Sequence, residues 1–323
     1  MRANRRVVLQ SISCIVLLIL AVSALLTGCT DDQAPLIPVW SYYRTPEIGG
    51  RSIHDVHGNS RDNAWAVGQD GVIFYYDGLE WVSFEDTPTN DNIRALSVYN
   101  DGKGWAVGDY GLALSLNITS WRVSPSPTGE DLFDVAMGSG GYDDAWAVGN
   151  GGVIIHYDGN SWKQVDHNLT NSDLRGIDIS SADEIVVVGN EGVILQKSGP
   201  TSGWTLATSP VSSKLNSVNI SSAGTFACGD SGVILKKENN GWVIVNQNNN
   251  EVLRTMDINA EGVGFIAGTD DAFYEMYDTS WIPGTLPQNE LESLNIYGIY
   301  LIDKNNGWAV GSAGTILKRG IAY

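Results

Sequence analysis

Apolar and polar residues alternate along short stretches of this chain, and the same succession of stretches returns about every 40 residues. Each unit opens with an alternating run such as Ile93–Val98 or Leu174–Ile179, and period-2 alternation is typical of a strand. A polar turn, a Trp-Ala-Val-Gly segment, a tight Gly-x-x-Gly turn and a Gly-Val-Ile segment come next. A last segment carries a second tryptophan. The pattern predicts four short antiparallel strands per unit.

Each Trp-Ala-Val-Gly segment, or its variant in the other units, ends in a glycine. The spacing of these glycines gives the period of the repeat. The steps between them are 40, 41, 40, 40, 39 and 43 residues. A fixed period of this size is typical of repeat architectures, and no stretch shows helical periodicity. The sequence therefore predicts an all-β fold, a seven-bladed β-propeller of four-stranded antiparallel blades. The seven glycines are Gly68, Gly108, Gly149, Gly189, Gly229, Gly268 and Gly311.

The two ends of the chain complement each other in this pattern. The second tryptophan comes 13 residues after the closing glycine in most units, which in the seventh unit is one position beyond Tyr323. Residues 37–43, around Trp40, supply a matching strand at the other end. We expect this N-terminal strand to complete the last blade, so that the propeller occupies residues 37–323 without exposed sheet edges at its ends. All eleven tryptophans then occupy repeat positions, where we expect them to pack between blades.

Residues 1–28 do not belong to the repeat. They contain an arginine-rich start and an apolar stretch over residues 15–26, as a secretory signal does. Leu26–Cys29 resembles a bacterial lipobox, which implies cleavage before Cys29, acylation of Cys29 and a short tether over residues 29–36. The expected location is the cell envelope, where the lipid would anchor the protein. No Asp comes directly after Cys29, which favours the outer membrane in a diderm bacterium; otherwise the outer face of the plasma membrane is expected.

The net charge of the chain limits the kinds of molecule that it can bind. The formal net charge is −18, and removal of the leader would take away three of 19 basic residues and no acidic one, leaving −21. Phosphate binding needs a basic surface, so nucleic acid is excluded as a partner. Of the three cysteines, Cys14 lies in the leader and Cys29 is the expected lipidation site. Cys228 occupies a strand position where it is expected to be a small buried hydrophobe.

No set of residues predicts catalysis, a metal or a cofactor. His54 and His57 lie three apart in a predicted strand, where side chains alternate, so we expect them on opposite faces and not as joint metal ligands. Serine–histidine–aspartate sets, phosphate-binding loops and cysteine-rich zinc spacings are missing from the sequence. The abundant acidic residues lie mostly in turns. A carboxylate pair suited to glycoside hydrolysis is the one enzymatic alternative.

Two family resemblances rest on the repeat. Tyr76–Trp81 and Tyr157–Trp162 resemble shortened Asp-boxes of sialidase-type propellers. The whole unit, most clearly over Lys304–Lys318, resembles the photosystem II assembly and stability factor family, and this resemblance covers residues 37–323. It implies a non-catalytic seven-bladed propeller that binds assembly intermediates of membrane proteins. A photosystem partner is not carried over, because many bacteria with such repeats are not photosynthetic.

One position of the repeat varies in a way that suggests binding. The second residue of each innermost strand is expected near the mouth of the central channel, and arginine occupies it in alternate blades. The arginine fork suits carboxylates, and aromatic residues add adaptable contacts. We expect Arg94, Arg175 and Arg254 to anchor an acidic protein segment or an anionic saccharide; alternatively, they join neighbouring blades by bonding loop carbonyls and acidic turns. The complete ring is His54, Arg94, Phe133, Arg175, Asn216, Arg254 and Tyr297.

The sequence therefore favours a monomeric, lipid-anchored, extracytoplasmic propeller that acts as a protein-binding or assembly scaffold without enzymatic activity. Its partners would be envelope or membrane proteins, and the bilayer through Cys29. Two alternatives stay open at this point. The first is a carbohydrate-binding or divergent sialidase-like propeller, and the second is a surface adhesin whose ligand is bound by variable loops.

Overall fold

A computed structural model describes residues 37–43, 49–180, 182–199, 201–248, 250–287 and 293–321. The predicted leader, the lipidation site Cys29 and the tether up to residue 36 lie outside these ranges. The chain divides into the units Met1–Ile37 and Pro38–Tyr323, and the second unit contains all of the strands. Within the described ranges, no helix has the length and apolar character needed to cross a membrane.

Seven four-stranded antiparallel sheets make up the described residues, which confirms the predicted all-β, seven-bladed propeller. In chain order from the innermost strand outwards, blade 1 holds β2 (Ile53–Ser60), β3 (Asn63–Gly68), β4 (Ile73–Tyr76) and β5 (Trp81–Ser83); blade 2 holds β6 (Ile93–Val98), β7 (Lys103–Gly108), β8 (Ala113–Asn117) and β9 (Ser120–Val123); blade 3 holds β10 (Leu132–Met137), β11 (Ala145–Gly149), β12 (Ile154–Tyr157) and β13 (Trp162–Gln164).

The remaining blades have the same order. Blade 4 holds β14 (Leu174–Ile179), β15 (Glu184–Gly189), β16 (Ile194–Ser198) and β17 (Thr205–Leu206); blade 5 holds β18 (Leu215–Ser221), β19 (Gly224–Gly229), β20 (Ile234–Glu238) and β21 (Gly241–Asn246); blade 6 holds β22 (Leu253–Ile258), β23 (Gly264–Gly268), β24 (Phe273–Tyr277) and β25 (Ser280–Pro283); blade 7 holds β26 (Ile296–Asp303), β27 (Asn306–Gly311), β28 (Ile316–Ile321) and β1 (Pro38–Tyr42). Short 3₁₀ turns lie at Gln69–Gly71, Asp109–Gly111, Gly141–Asp143, Asn150–Gly152, Asn190–Gly192 and Ser312–Gly314.

The N-terminal strand closes the ring, as the sequence predicts. β1 pairs antiparallel with β28, and Trp40 stands opposite Arg319. The Trp40 ring is buried and meets Phe265 of blade 6 edge-on, with 5.5 Å between the ring centroids. Phe273 contacts the same ring at 6.4 Å. The strand from one chain end is therefore held both by the sheet ladder and by an aromatic cluster of the preceding blade.

The hydrophobic core consists of the interfaces between consecutive blades. Trp65 of blade 1 packs with Ile93, Leu96 and Trp121 of blade 2, and the two tryptophan rings meet edge-to-face at 5.6 Å. Equivalent clusters recur between the other blades, including the cluster that joins blade 7 to blade 1. Each blade alone would expose this apolar surface, so the circular stacking of all seven buries it.

The turns at the channel mouth explain the glycine period. A Cβ on Gly68 would lie 2.2 Å from the carbonyl oxygen of Ser52, so only glycine allows this close approach of two chain segments. The turn then requires left-handed backbone, which Asp70 adopts with φ of 54°. Blade 6 lacks the second glycine of the turn, and Asp271 takes the left-handed conformation there with φ of 63°. These turns fix the position of the chain just before each innermost strand.

Candidate functional site: the mouth of the channel

A β-bulge at the start of every innermost strand directs the predicted ring residues. In blade 1 the ladder steps from Ile53 to Asp55, so His54 is the extra residue. The other six innermost strands skip their second residue in the same way. A bulge re-aims a side chain and breaks strand alternation. The expectation that His54 and His57 lie on opposite faces is wrong, because both side chains bond the innermost strand of blade 2: His54 donates to the carbonyl oxygen of Ile93, and His57 accepts from the N–H of Val98.

All seven ring residues line one depression of about 370 Å³ at the mouth. The same seven also border the central channel, a cavity of about 420 Å³ between the innermost strands. Ser52 and Lys214, which precede two of the innermost strands, complete the wall of the depression. Lys214 is not part of the predicted ring, although its position directly before β18 could have suggested it. The mouth therefore holds three arginines, one lysine, one histidine and two aromatic rings.

Arg94 is held by carboxylates on two blades. Its Nε donates to Oδ1 of Asp109, in the turn of its own blade, and its Nη2 lies 3.6 Å from Oδ2 of Asp131 before blade 3. Asp109 also accepts a 2.7 Å bond from Nδ2 of Asn92 and is almost fully buried. Arg94 thus makes the interblade contact that the structural alternative expected. About a third of its side chain stays exposed to the mouth.

Arg175 has partners in its own blade and a neighbour in blade 3. Its Nη2 donates to Oδ2 of Asp173 at 2.9 Å, and its Nε donates to Oδ1 of Asn190 at 3.3 Å. Its guanidinium carbon lies 3.9 Å from the centroid of the Phe133 ring, on which Arg94 also rests at 5.2 Å. Phe133 therefore joins two cations of blades 2 and 4 across blade 3.

Arg254 differs from the other two arginines. It is exposed, and it forms no ion pair or hydrogen bond with any residue in the described part of the chain. Its guanidinium lies 5.8 Å from the centroid of the Tyr297 ring. The centroid of the His54 ring lies 6.4 Å from that of Tyr297, and Nδ1 of His54 donates to the carbonyl oxygen of Ile93 at 2.9 Å. Burial lowers the pKa of His54, which favours the neutral form of the imidazole.

Asn216 and Lys214 share the carboxylate of Asp230. Nδ2 of Asn216 donates to Oδ1 of Asp230 at 2.9 Å and to the carbonyl oxygen of Leu253 at 2.7 Å. Nζ of Lys214 lies 3.5 Å from Oδ2 of the same aspartate. This side of the mouth is therefore built from satisfied polar groups, next to the exposed guanidinium of Arg254.

Below the mouth, the channel is lined by four aspartates that the sequence pattern does not single out. Each accepts a backbone N–H of the next blade through Oδ2, for example from Leu96 to Asp55 at 2.9 Å and from Leu301 to Asp257 at 2.6 Å. Asp134 accepts from Ile177 and Asp178 from Ile220 in the same manner. These carboxyl groups therefore join blades 1 and 2, 3 and 4, 4 and 5, and 6 and 7.

Burial among the blades raises the pKa of every one of these carboxyl groups. The pKa of Asp55 and Asp257 rises to about 7 and that of Asp178 to about 6, while the pKa of Asp134 lies well above its ordinary value. Desolvation is the main cause, and the charges of neighbouring channel aspartates add to it for Asp134 and Asp257. Their signal in the sequence is an aspartate at the third or fifth position of an innermost strand.

Within the ranges that the structure describes, no three His, Cys, Asp or Glu side chains are grouped as metal ligands. Cys228 is fully buried in β19, where it packs with Phe226 and Ile234. The fold and the mouth together define a seven-bladed propeller with a basic and aromatic ring at one end of an acidic channel.

Known structures share this architecture. YCF48 bound to D1 peptide superposes with a TM-score of 0.69 at 17% identity, covering 91% of this chain and all of the other. Virginiamycin B lyase from Staphylococcus aureus superposes with a TM-score of 0.74 at 12% identity, covering 88% of this chain and all of the other. At such identities the likeness shows the fold, which both a peptide-binding protein and a lyase use.

Sequence comparison adds one partial relative. The immune protein Tsi7 of Pseudomonas aeruginosa is 32% identical over 103 residues, which is 32% of this chain and 32% of that protein. The match therefore spans about a third of the length of this curated relative, which corresponds to between two and three blades. No protein-family model matches the chain.

Proposed function

We propose that this propeller is a non-catalytic scaffold that binds a carboxylate-bearing segment of an envelope protein at the channel mouth. The observation that carries the proposal is Arg254, an exposed guanidinium without an anionic partner among the described residues, next to the Tyr297 ring. An arginine fork binds a carboxylate through two parallel hydrogen bonds, and a desolvated aromatic neighbour strengthens such a contact. In a chain with a net charge of −18, an exposed cation in a concave site favours an anionic ligand.

The other two arginines contribute from one side of the mouth. Arg94 and Arg175 already hold aspartates, yet both keep part of their side chains exposed beside Phe133. A ligand carboxylate at Arg254 can therefore extend towards a second positive region without displacing those ion pairs. YCF48, which shares the fold, is described as bound to a peptide, and this supports a peptide ligand here. The 103-residue similarity to an immune protein also fits a role in binding a partner.

We further propose that the propeller is held at the outer surface of a membrane through acylated Cys29. The support is the basic start, the apolar stretch and Leu26–Cys29, which come in the order of a lipoprotein signal. Several acyl chains give stable anchoring where one chain does not. Seven residues, 30–36, separate Cys29 from Ile37, so the anchor would hold the propeller within a short distance of the membrane.

The carbohydrate alternative fits the mouth less well. A glycosidase needs one protonated and one ionised carboxyl group on either side of a sugar bond. At this mouth Asp109 pairs with Arg94, Asp173 with Arg175 and Asp230 with Lys214. Carboxylates held by cations in this way are poor proton donors, which favours binding over hydrolysis. An anionic saccharide and an adhesin ligand are outcomes that a crosslinking experiment distinguishes.

The test places a photo-crosslinking amino acid at Tyr297 of the mouth and, as a control, at Val123 on the outer strand of blade 2. We expect illumination of intact cells to join the mouth variant to one recurrent envelope protein, at a segment rich in Asp or Glu or at a C-terminus. The Val123 variant should not give that product. Products that contain glycan and no peptide, or identical products from both positions, would contradict the proposal.

A further inference from the structure

The end of the propeller opposite the mouth is where the polypeptide enters the fold. β28 leaves the mouth turn after Gly314 and runs away from it to Ile321. β1 pairs with it antiparallel, with Pro38 opposite Ile321 and Tyr42 opposite Leu317. Pro38 therefore lies at the far end of blade 7. The same end carries the turn between the first and second strands of every blade and, in blades 1 to 6, the turn between the third and fourth strands.

Large apolar side chains are exposed on the third-to-fourth-strand turns of some blades. Leu79 of blade 1 is 82% exposed, Ile118 of blade 2 is 60% exposed and Tyr277 of blade 6 is 73% exposed. Blades 1 and 6 flank blade 7, where Pro38 enters, and blade 2 adjoins blade 1. The corresponding turns of blades 3 and 5, Asp158–Ser161 and Glu238–Gly241, are polar. The apolar turns therefore lie on blades 6, 1 and 2, on both sides of the entry point in blade 7, whereas the turns of blades 3 and 5 are polar.

The backbone at Ile118 shows that folding alone does not favour this residue. Ile118 adopts φ of 60°, a left-handed conformation that a β-branched side chain rarely takes. Ile118 lies three residues before the tryptophan of the fourth strand. At that position blades 1 and 3 have Gly78 and Gly159, with φ of 94° and 85°. Glycine meets this conformation without strain. The fold therefore gives no reason of its own for an isoleucine at this exposed position.

We propose that this end of the propeller rests on a lipid bilayer, with Leu79, Ile118 and Tyr277 inserted at the level of the headgroups. The proposal depends on the lipid anchor proposed at Cys29, because seven extended residues reach at most about 25 Å and keep the entry point near the surface. Leucine and isoleucine suit the acyl boundary, and tyrosine suits the membrane interface. The channel mouth then points away from the membrane.

The net charge of the propeller indicates which lipid headgroups it would contact. The chain is strongly acidic, so attraction to anionic headgroups does not contribute. Contact through three apolar side chains favours zwitterionic lipid, for example phosphatidylcholine or phosphatidylethanolamine. The alternative is that a soluble protein covers these side chains. In that case they would not contact lipid.

The experiment uses the full lipidated chain in phosphatidylcholine vesicles with a nitrobenzoxadiazole dye attached at single introduced cysteines. Leu79→Cys, Ile118→Cys and Tyr277→Cys report on the proposed contact. Tyr110→Cys is the matched control, since Tyr110 is 75% exposed on a turn at the mouth. Burial raises the pKa of the Cys228 thiol, which keeps that cysteine unreactive towards the dye in the folded protein. Spin-labelled lipids in the vesicles quench any dye that enters the bilayer.

We expect the dyes at positions 79, 118 and 277 to shift to shorter emission wavelengths and to lose most of their emission to the quencher. The dye at position 110 should behave as it does in water. Flotation of the vesicles tests the anchor separately: a protein that floats without quenching at these three positions keeps the anchor and overturns the docking. A protein that does not float at all overturns both.

A stability measurement excludes misfolding as the cause of a change. Ile118→Gly removes one inserted side chain and relieves the left-handed strain, so this variant should melt no lower than the parent protein. In the Leu79→Cys background it should nevertheless reduce the quenching at position 79. Unchanged quenching in the well-folded glycine variant would contradict a contribution of Ile118 to docking.

Discussion

The guanidinium carbon of Arg175 lies 3.9 Å from the centroid of the Phe133 ring, which also carries Arg94 at 5.2 Å. One ring on blade 3 thus stands between cations of blades 2 and 4. Burial lowers the pKa of Arg175, and the charge of Arg94 contributes in the same direction. Attraction to the face of the ring offsets part of this repulsion. Phe133 therefore allows two positive groups to share one small region of the mouth.

Replacing Phe133 tests this arrangement. Phe133→Leu removes the aromatic face but keeps an apolar side chain, so the two guanidinium groups lose an interaction worth about 1 kcal/mol. We expect a roughly fivefold weaker affinity for a fluorescent acidic peptide, measured by anisotropy. Phe133→Tyr keeps the ring and should bind nearly as the parent does. Equal losses in the two variants would show that the ring face is not what matters.

Replacing Arg94 and replacing Arg254 should affect the free energy of unfolding differently. Arg94→Ala leaves the almost fully buried Asp109 with Asn92 as its remaining side-chain donor among the described residues, and loses the contact with Asp131. An under-compensated buried carboxylate lowers the free energy of unfolding by about 1–2 kcal/mol. Arg254→Ala removes no ion pair with a described residue and should leave this free energy within about 0.5 kcal/mol of the parent. Urea titrations of both variants measure the difference.

A large loss of stability in Arg254→Ala would contradict this prediction. If Arg254→Ala unfolds as easily as Arg94→Ala, then Arg254 has a structural contact that the described residues do not provide. A matched surface control is Arg122→Ala, on the outer strand β9, where the guanidinium is exposed. This control should change neither stability nor peptide binding.

The fold could be predicted from the sequence because its determinants are local and repeated. Gly68 and its six equivalents are required by a close approach of two backbones, and the tryptophans by one kind of blade interface. Trp40 could be assigned to the last blade because a repeat that lacks one strand has a defined gap. Each of these features leaves its own residue type at a constant spacing.

The site could be predicted only in part. The second position of the innermost strands was recognisable because arginine is rare in this chain, but the bulge that re-aims His54 has no residue signature of its own. The pairing of Arg94 with Asp131 depends on how blades 2 and 3 face each other. The aspartates of the channel were missed for the same reason. In the sequence, Asp55 looks like any polar residue of a strand. Its role depends on the N–H of Leu96 in the next blade, which donates to its Oδ2 at 2.9 Å.

The channel aspartates predict an unusual dependence of stability on pH. The pKa of Asp257 is about 7 in the folded protein, against 3.8 as its ordinary value. Between these values the folded protein keeps a proton that the unfolded chain has lost, so stability falls as the pH rises through this window. Asp257→Asn removes this titration and should flatten the decline between pH 5 and pH 7.5 by about 2.5 kcal/mol. Unfolding in urea at the two pH values measures it.

His57 in the same channel acts in the opposite sense. Burial lowers its pKa to about 4 from 6.5, so the unfolded chain binds a proton that the folded protein excludes, and stability rises with pH over this range. The difference between the parent and Asp257→Asn cancels this contribution, because both proteins contain His57. An identical pH slope in the two proteins would contradict a raised pKa for Asp257.

Closure by the N-terminal strand predicts a large effect of one side chain. Trp40→Ala would empty the space between β1 and the rings of Phe265 and Phe273. Truncation of a buried tryptophan costs about 3–5 kcal/mol, so we expect a clearly lower melting temperature. Truncation of the exposed Leu206 on β17 is the control and should be nearly neutral. A Trp40→Ala variant that melts like the parent would mean that β1 contributes little to closing the ring.

The central claim is that the mouth binds anionic peptide groups through Arg254. The most direct test is the dissociation constant of a fluorescent peptide with Asp and Glu residues and a free C-terminus, compared with its Asn, Gln and amide analogue. We predict tighter binding of the acidic peptide, a loss of at least about tenfold in Arg254→Ala and no loss in Arg122→Ala. Equal affinity for both peptides, or equal losses in both arginine variants, would contradict the account.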